Sequence, residues 1–429
     1  MILFTFYFFK FNLNQRNKKI KAALLFLCLS SLVLVSLLRA FPYYNLYKTC
    51  YSFYELNYNE IINYDGEEFK TVFKNSLGNT DNKNKNVILF FIEGMSQRVI
   101  SEKNTPNIYN FQKNTLTFEN YYNHTAATFR GIRGQLISGF QKRGGYYRDN
   151  QGLGQLNQNT LNDLLNINKI ESLPSILNNQ GYSTAFVGPH LCEDNLYLIT
   201  KILGFKHIKG KCNYHENTKN SGHLTDKEDF ELLKNTIGEL HKDTKPFFVS
   251  FYNIETHHGM SGNDYKNPHS DNEYLQKFYN LDQCFGNFID WLKKEHYLEN
   301  TIVILTSDHS TFSVNEFEET YNYKSYSCTR FVDRVPLSIY SKNIKSEKID
   351  VKGRNSLGLA PTVLDILGID NIENHFLGSS LLKKSDNMLE RISVVNNVYI
   401  YTGWETPFDL HELPEDLHRK LFLFYRYAK

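Results

Sequence analysis

The 429-residue sequence predicts an α/β protein with a mostly parallel central sheet, helices on both faces of that sheet and an N-terminal transmembrane helix. Three observations predict this class: apolar runs of strand length, segments of helical period between them, and one long uncharged stretch near the start. Strands that are apolar at every position are buried on both faces, which is typical of parallel sheets covered by helices. Ligands bind such sheets beyond the carboxyl ends of the strands.

The predicted membrane anchor spans residues 22–40. Residues 22–38 read AALLFLCLSSLVLVSLL, an uncharged stretch of about the minimum length that crosses a bilayer. The basic residues before it predict a cytoplasmic segment at 1–21 and a single-pass anchor in the inner (plasma) membrane, with everything after it extracytoplasmic. A cleaved signal peptide is the alternative, although AFPYYN is a poor cleavage site. Whether further transmembrane helices precede this one in a longer product stays open.

The charge is distributed unevenly along the chain. Six of the 48 basic residues and none of the 46 acidic residues lie in the first 40 positions, so the remainder has 42 basic and 46 acidic residues, a net charge of −4. A mildly acidic domain argues against nucleic acid as a partner.

The cysteines indicate an oxidising compartment without a cysteine metal site. Cys28 lies in the predicted anchor, and the other five are Cys50, Cys192, Cys212, Cys284 and Cys328. Five is an odd number, so at least one thiol stays unpaired. We predict a disulfide between Cys192 and Cys212, which closes a short loop. The absence of C-x-x-C argues against a cysteine zinc site.

After a polar linker at residues 41–84, apolar strands alternate with helices through residues 85–429. The predicted strands are VILFFI (87–92), YSTAFVG (182–188), FFVSFYNI (247–254), TIVIL (301–305) and VPLSIY (335–340). The predicted helices include residues 227–240, 273–295 and 360–368.

Carboxylates and imidazoles follow three of these strands. Glu93 follows the first, Glu255-Thr256-His257-His258 follows the third, and Ser307-Asp308-His309 ends the fourth. Each residue alone is more typical of a surface or capping position. Together, at one edge of a sheet, they predict a divalent metal site, since zinc and manganese accept both carboxylate oxygen and imidazole nitrogen.

A nucleophile is available in NHTAATFRGIRGQLISG (123–139), which is expected to open a helix. Its candidates are Thr125 and Thr128, beside free N–H groups that suit a phosphate. A metal lowers the pKa of a hydroxyl and makes it a competent nucleophile. The alternative is that either threonine only caps the helix.

Several segments resemble the sulfatase-like branch of the alkaline-phosphatase superfamily. They are NVILFFIEGMS, NHTAATFRGIRGQLISG, ILTSDHS, RVPLSIYS and LAPTVLDILGI, in matching order and spacing over about residues 85–385. Within that branch the likeness is to lipoteichoic acid synthases, glucan phosphoglycerol transferases and lipid A phosphoethanolamine transferases. The resemblance implies an alkaline-phosphatase-like fold and an extracytoplasmic catalytic domain at 85–429.

The resemblance also implies roles for individual residues. It places one zinc or manganese ion on Glu93, Thr128, Asp308 and His309. Thr128 is the implied nucleophile, preferred over Thr125 by its distance to Ser138-Gly139. THHG resembles a T-H-x-P substrate motif with Gly259 in place of proline, which leaves the register between His257 and His258 open. His190 and Asn195 are weaker substrate-binding candidates. Asp226 matches an aspartate of the family, for which a structural role is an open alternative.

The expected function is transfer of phosphoglycerol or phosphoethanolamine from a phospholipid donor to an envelope glycan or lipid, through a phosphothreonine. A hydrolase of the same superfamily, acting as a phosphodiesterase or phosphatase, is one alternative. A non-catalytic envelope scaffold is another. A sulfatase that uses formylglycine is excluded because C-x-P-x-R does not occur.

Overall fold

A central eight-stranded sheet organises the computed structural model of the chain. The structure describes Ser30 and residues 66–78, 82–141, 170–190, 195–213, 222–312, 314–322, 332–395, 398–404, 407–410 and 412–427. The chain divides into two compact units, residues 1–64 and 65–429, and of the first only Ser30 is described. No helix among the described residues is long and apolar enough to cross a membrane. The predicted anchor at 22–40 lies outside those residues, Ser30 excepted.

The described strands and helices are named here in chain order. The strands are β1 (Thr71–Phe73), β2 (Asn86–Ile92), β3 (Leu116–Glu119), β4 (Ser183–Val187), β5 (His207–Lys209), β6 (Phe247–Tyr252), β7 (Thr301–Ser307), β8 (Leu337–Tyr340), β9 (Glu347–Asp350), β10 (Ile372–Asn374), β11 (Ile392–Val395), β12 (Val398–Tyr401) and β13 (Phe408–Leu410). The helices are α1 (Pro106–Lys113), α2 (Thr128–Ile137), α3 (Leu173–Asn179), α4 (Asn195–Ile202), α5 (Asp226–Leu240), α6 (Glu273–Lys294), α7 (Asn315–Tyr321), α8 (Leu359–Ile366) and α9 (Glu415–Tyr427). Short 3-10 helices occupy Glu67–Phe69, Gln97–Val99, Lys211–Asn213, Tyr297–Asn300, Ser356–Gly358 and Met388–Arg391.

The large sheet has the strand order β5-β4-β6-β2-β7-β8-β3-β9. Five of its pairings are parallel, and the two made by β8 are antiparallel. The sheet is therefore mixed, and the predicted strand at 335–340 does not share the direction of its neighbours. The chain leaves β7 at the carboxyl edge and re-enters β8 from that same edge, where Asp333 N–H bonds to Asn123 Oδ1 at 3.0 Å. Without a crossover to the other edge, the strand must run antiparallel.

Helices cover both faces of the sheet, as predicted. On one face Phe90 of β2 packs against Phe230 of α5 and against Phe285 and Phe288 of α6, with ring centroids 5.4–5.9 Å apart. On the other face Phe205, which follows α4, packs against Phe186 and Phe248. Each phenylalanine buried in this way removes enough apolar surface from water to contribute roughly 1.5–3 kcal/mol.

Two smaller sheets flank the large one. β1 pairs with β10, so residues 71–73, from the interval predicted as a linker, are part of the folded unit. β11, β12 and β13 form a three-stranded antiparallel sheet.

Two cysteines are described. Cys284 is buried and free, and Cys212 is disulfide-bonded to a partner outside the described residues. The pairing of Cys212 with Cys192 stays a prediction.

Candidate active site

Glu93 follows directly on the central strand β2 and is buried. Its N–H donates to Asn253 Oδ1 at 3.0 Å, and its carbonyl accepts from Thr256 Oγ1 at 2.8 Å, so the segment after β6 holds the end of β2. The next residue, Gly94, has φ +58°, a conformation that glycine adopts without strain. This turn lets Gly94 N–H donate to Asp308 Oδ1 at 2.9 Å, which ties the ends of β2 and β7 together.

Asp308 and His309 follow β7 and are fully buried. The oxygen Asp308 Oδ1 accepts from the N–H groups of Gly94 and His309, at 2.9 and 2.7 Å. The ring atom His309 Nδ1 lies 2.6 Å from the Ser310 carbonyl, which can only accept, so Nδ1 carries a proton. The atoms left over are Asp308 Oδ2 and His309 Nε2, and neither has a hydrogen-bond partner among the described residues.

These leftover atoms and the Glu93 carboxylate fit a divalent cation. One ligand atom from each of Glu93, Asp308 and His309 lies within 4.8 Å of the others. His309 Nε2 is 3.3 Å from Glu93 Oε1 and 3.4 Å from Asp308 Oδ2. Buried polar atoms without partners are costly, and two carboxylates with an imidazole form a donor set that zinc and manganese accept.

Without a cation, burial and mutual charge shift the pKa values of these three residues. Burial raises the pKa of Glu93, but the charge of His309, whose Nε2 lies 3.3 Å from Glu93 Oε1, and the hydrogen bond from Tyr252 outweigh it and lower that pKa to about 2. Burial and the Glu93 charge raise the pKa of Asp308 to about 8. Burial lowers the pKa of His309, but the Asp308 and Glu93 charges outweigh it and raise that pKa to about 9. A positive charge is therefore strongly favoured at this position.

Thr128 is the first residue of helix α2, and its Oγ1 donates to Glu93 Oε2 at 2.8 Å. The residue before it, Ala127, has φ +82°, a strained value for a residue with a side chain. No side chain caps the helix, so its first N–H groups are not taken by a capping group. The hydroxyl therefore lies on the carboxylate cluster at a helix start suited to phosphate.

Thr125 has a different environment. It is buried, and its Oγ1 donates to the carbonyl of Val394 in β11 at 2.8 Å. The N-cap position of α2 is Ala127, so neither threonine caps this helix. Thr125 thus joins its loop to the three-stranded sheet.

Two further residues support the site, and the sequence pattern did not indicate either. Tyr252, the last residue of β6, donates its hydroxyl to Glu93 Oε2 at 2.6 Å. Gln135 is fully buried in α2, and its Nε2 donates to the carbonyls of Ser307 and Asp308 at 2.9 and 3.2 Å. Their only signal in the sequence is position: Tyr252 ends a strand, and Gln135 is a polar residue on a helix face that is otherwise buried.

The substrate candidates lie at different distances from this cluster. The charge of His257 helps to lower the pKa of Glu93. The His257 ring packs edge-on against Phe312 with the ring centroids 6.3 Å apart. Phe312 in turn stacks on His309, with a centroid separation of 4.7 Å. His258 Nδ1 instead lies 3.4 Å from Glu316 Oε2, with half of its side chain exposed. The structure thus places His257, rather than His258, beside the cluster.

The remaining two candidates come from the segment after β4. The ring of His190 stacks on Tyr252 with a 6.1 Å centroid separation, so His190 adjoins the site through Tyr252. Asn195 begins α4, and its side chain lies outside the described residues.

Asp226 belongs to the supporting structure. It is the first residue of α5, and its Oδ1 accepts from Asn253 Nδ2 at 3.1 Å. Asn253 in turn accepts from the N–H of Glu93, so Asp226 orients a residue that positions the metal candidate.

A family model described as Sulfatase matches residues 85–369, about two thirds of the chain. The chain belongs to the sulfatase family. The predicted resemblance is thereby confirmed. Within the sulfatase family the chain has Thr128 at the candidate nucleophile position and no C-x-P-x-R motif.

Two curated relatives of this sulfatase-family chain are lipoteichoic acid synthases. Lipoteichoic acid synthase 2 of Bacillus subtilis is 28% identical over 238 residues, which cover 51% of this chain and 35% of the relative. Lipoteichoic acid synthase of Staphylococcus saprophyticus is 24% identical over 322 residues, covering 71% of this chain and 48% of the relative. The matches span less than half of the length of either relative.

Two solved structures support the predicted fold. A protein of the alkaline phosphatase superfamily from Vibrio parahaemolyticus has a TM-score of 0.67 at 19% identity, covering 84% of this chain and 90% of that one. The lipoteichoic acid synthase LtaP from Listeria monocytogenes has a TM-score of 0.60 at 18% identity, covering 85% and 96%. The alkaline-phosphatase-like α/β fold is therefore confirmed.

Proposed function

We propose that this sulfatase-family protein is a transferase that moves a phosphoglycerol group from a phospholipid to an envelope glycan or lipid. The observation that carries the proposal is the 2.8 Å contact of the Thr128 hydroxyl with Glu93, inside a buried cluster with Asp308 and His309. The lipoteichoic acid synthases among its relatives favour phosphoglycerol over phosphoethanolamine as the transferred group.

In this proposal Glu93, Thr128, Asp308 and His309 hold one divalent cation, zinc or manganese. The cation supplies positive charge that lowers the pKa of the threonine hydroxyl and offsets negative charge on the phosphoryl oxygens. Glu93 accepts the hydroxyl hydrogen bond and so orients Thr128 Oγ1 toward the substrate.

The reaction has two displacements at phosphorus. In the first, Thr128 Oγ1 loses its proton and bonds to phosphorus, the bond to the diacylglycerol oxygen breaks, and that oxygen takes up a proton, so the step consumes no net proton. His257 is the candidate proton donor, since its ring lies beside the cluster. In the second, an acceptor hydroxyl bonds to phosphorus, loses its proton, and releases Thr128, which regains one.

The membrane location belongs to the same proposal. An anchor at residues 22–40 would keep the catalytic domain on the extracytoplasmic side of the plasma membrane. A tethered domain meets its phospholipid donor at a high effective concentration, so the anchor would replace a slow search by a local one.

The test compares Thr128→Ala with Thr125→Ala on vesicles containing phosphatidylglycerol, with manganese or zinc added. We expect wild-type protein to release diacylglycerol and to acquire a glycerol phosphate mass increment on the peptide that contains Thr128. Thr128→Ala should lose release by at least about 10³-fold, since it removes the attacking oxygen. Thr125→Ala should keep the increment and lose about 1 kcal/mol of stability from its hydrogen bond to Val394.

Three outcomes would contradict the proposal. Retention of wild-type turnover by Thr128→Ala would remove the nucleophile. Release of glycerol phosphate into water, with no product on any added glycan or lipid, would make the protein a hydrolase. A protein that neither binds a cation nor cleaves the lipid would be the scaffold alternative.

A further inference from the structure

A cavity of about 450 Å³ lies between helices α1 and α6, at the edge of the large sheet opposite the candidate active site. We call it the α1–α6 cleft. Its lining includes Leu298, which precedes β7, and Tyr340, which ends β8. Because β7 and β8 are antiparallel, the start of one strand and the end of the other lie at the same edge. The seven residues of β7 separate this edge from Asp308 by roughly 20 Å, at about 3.3 Å per residue.

The two helices are fixed against each other where they touch. The carboxylate of Asp282 in α6 accepts from the N–H and the side-chain amide of Asn107, at 3.1 and 2.8 Å, and so holds the start of α1. A Cβ added at Gly286 would lie 2.4 Å from the Asn107 side chain, so a larger residue would displace Asn107 from Asp282. The rings of Phe111 and Phe285 pack edge-to-face, with centroids 5.3 Å apart. The walls of the cleft are therefore preformed, which lowers the entropic cost of binding a ligand.

A residue with left-handed backbone closes one end of the cleft. His296 follows α6 with φ +59° and turns the chain into the 3-10 helix at Tyr297–Asn300, from which Leu298 and Glu299 line the cleft. A positive φ is uncommon for a residue with a side chain, and it persists where the surrounding structure requires it. The His296 ring also lines the cleft, is exposed, and makes no hydrogen bond within the described part of the chain.

The charged side chains of the cleft are paired. Lys293 Nζ lies 3.0 Å from Asp290 Oδ1, one turn earlier in α6. Glu299 pairs with Lys342, which lies outside the lining. Among the described residues, no other aspartate, glutamate, lysine or arginine lines the cavity. A ligand therefore gains little from carrying a charge of its own, since paired surface charges contribute little to a further ion pair.

Three asparagines give the α1 wall its hydrogen-bonding groups. Asn107, Asn110 and Asn114 are spaced by three and four residues, so they lie along one side of the helix. Asn107 Nδ2 donates to Asp282, and Asn114 Nδ2 donates to the Asn110 carbonyl at 2.8 Å. The side-chain oxygens of Asn107 and Asn114, and the exposed amide of Asn110, have no hydrogen-bond partner among the described residues. Such groups both donate to and accept from hydroxyls.

Apolar side chains provide the other surfaces of the cleft. Phe111, Ile289 and Tyr340 are half-buried in its lining, and the Tyr340 ring adds a hydroxyl. A sugar ring has an apolar C–H face and a rim of hydroxyls, so it matches a cavity that combines aromatic rings with side-chain amides. The cavity volume also falls in the range of small-molecule binding clefts.

We propose that the α1–α6 cleft is a second ligand site, which binds an uncharged saccharide without reacting with it. The saccharide hydroxyls bond to the three asparagine side chains, and its apolar face packs on the rings of Phe111 and Tyr340. This inference goes beyond the proposed function and does not rest on it, because the cleft lies at the other edge of the sheet and shares no residue with the metal cluster. The site binds a neutral glycan at a distance from the reaction centre.

The first experiment titrates the full chain with cellobiose and with di-N-acetylchitobiose, two neutral disaccharides, in the presence of a chelator. We expect at least one of them to bind a single saturable site. Because no ion pair contributes, the Kd should change less than about twofold between about 0.05 and 0.5 M salt. Asn110→Ala should weaken binding about fivefold through a lost hydrogen bond, and Asn110→Ala/Asn114→Ala about twentyfold. Asn235→Ala, the same change at an exposed position of α5, should leave the affinity unchanged.

Hydrogen exchange then locates the bound disaccharide. Slower exchange is expected in peptides that cover residues 106–115 and 285–299, and unchanged exchange in peptides that cover 123–139 and 306–312, which carry the candidate active site. Equal melting temperatures of wild type and the asparagine variants would exclude unfolding as the cause of weaker binding.

The inference is overturned if neither disaccharide binds, if the double asparagine variant binds as wild type does, or if slower exchange appears at the active site instead of the cleft. An affinity that falls steeply with salt would show an ionic site and would also overturn it. Failure of the proposed function is distinguishable, since this binding requires neither a divalent cation nor a phospholipid.

Discussion

Asp229 in helix α5 is a buried carboxylate outside the reaction centre. It is fully buried, and neither of its oxygens has a hydrogen-bond partner among the described residues. Burial, and then the charges of Asp226 and Glu255, raise the pKa of Asp229 well above its usual range. Burial likewise raises the pKa of Asp226 to about 7 and that of Glu255 to about 8. These three carboxyls favour their neutral forms in the folded protein.

We predict that the free energy of unfolding falls as pH rises from about 4 to 8. The unfolded chain loses these protons near pH 4, whereas the folded chain keeps them to higher pH, so the folded state binds more protons over that range. Asp229→Leu should make the decline shallower and add about 1–3 kcal/mol at pH 8. Urea unfolding at pH 5 and pH 8 measures both effects. Asp243→Leu, a change at an exposed position, is the control, and an equal pH slope in wild type and Asp229→Leu would contradict the assignment.

The disulfide of Cys212 can be identified at the level of peptides. Its partner lies outside the described residues, and the short intervening loop favours Cys192. We expect peptide mapping without reductant to recover the peptides of Cys192 and Cys212 as one linked species, with Cys284 alkylated only after unfolding because it is buried. Recovery of Cys192 as a free thiol would exclude this pairing.

Helix α2 carries the candidate nucleophile, and one glycine sets its distance from the metal ligands. A Cβ added at Gly131 would lie 2.1 Å from the Asp308 carbonyl oxygen, closer than any real contact. Gln135 bonds to that carbonyl from the same helix. The backbone of α2 at Gly131 therefore packs directly against the backbone at the end of β7.

Gly131→Ala should separate α2 from the end of β7 and move Thr128 away from Glu93. We expect at least about a 10²-fold loss of turnover, which a displacement of about 1 Å can cause. Gly238→Ala is the matched control, because a Cβ there meets nothing within 4 Å in helix α5. That change should preserve turnover and stabilise the fold by about 0.5–1 kcal/mol. Steady-state turnover and thermal unfolding of both variants test the pair, and wild-type turnover of Gly131→Ala would show that the helix position is not limiting.

A cation at the proposed site would couple metal binding to the stability of the folded chain. Glu93, Asp308 and His309 come from two strand ends far apart in the chain, and a cation held between them binds only the folded state. It stabilises that state by RT ln(1 + [M]/Kd), about 4 kcal/mol when the free cation is at 1,000 times its Kd.

We predict that a chelator lowers the melting temperature of the wild-type protein and that manganese or zinc restores it. The shift should be absent in Asp308→Asn, which lacks one of the proposed ligands. Ser346→Ala, at an exposed serine remote in sequence from the site, should keep the full shift. Differential scanning calorimetry with and without each cation measures the effect. An identical shift in Asp308→Asn would place the responsible cation elsewhere.

Local sequence pattern was sufficient to predict the strands that carry the site and the chemical groups at their ends. VILFFI and TIVIL are continuous apolar runs, so their burial and their polar ends at Glu93 and at Asp308-His309 follow from local pattern alone. The family likewise follows from short motifs. Whether Thr125 or Thr128 is the candidate nucleophile did not follow from local pattern, since both lie near one helix start.

Which side chains contact one another could be read only from the folded chain. The order β6-β2-β7 brings Tyr252 onto Glu93, and the antiparallel entry of β8 places Arg334 beside Gln97. The different partners of His257 and His258 also appear only in the folded chain. Periodicity in the sequence indicates burial over a few residues only. The distance between two side chains depends instead on strand order, direction and register, and these are set by contacts across the whole domain.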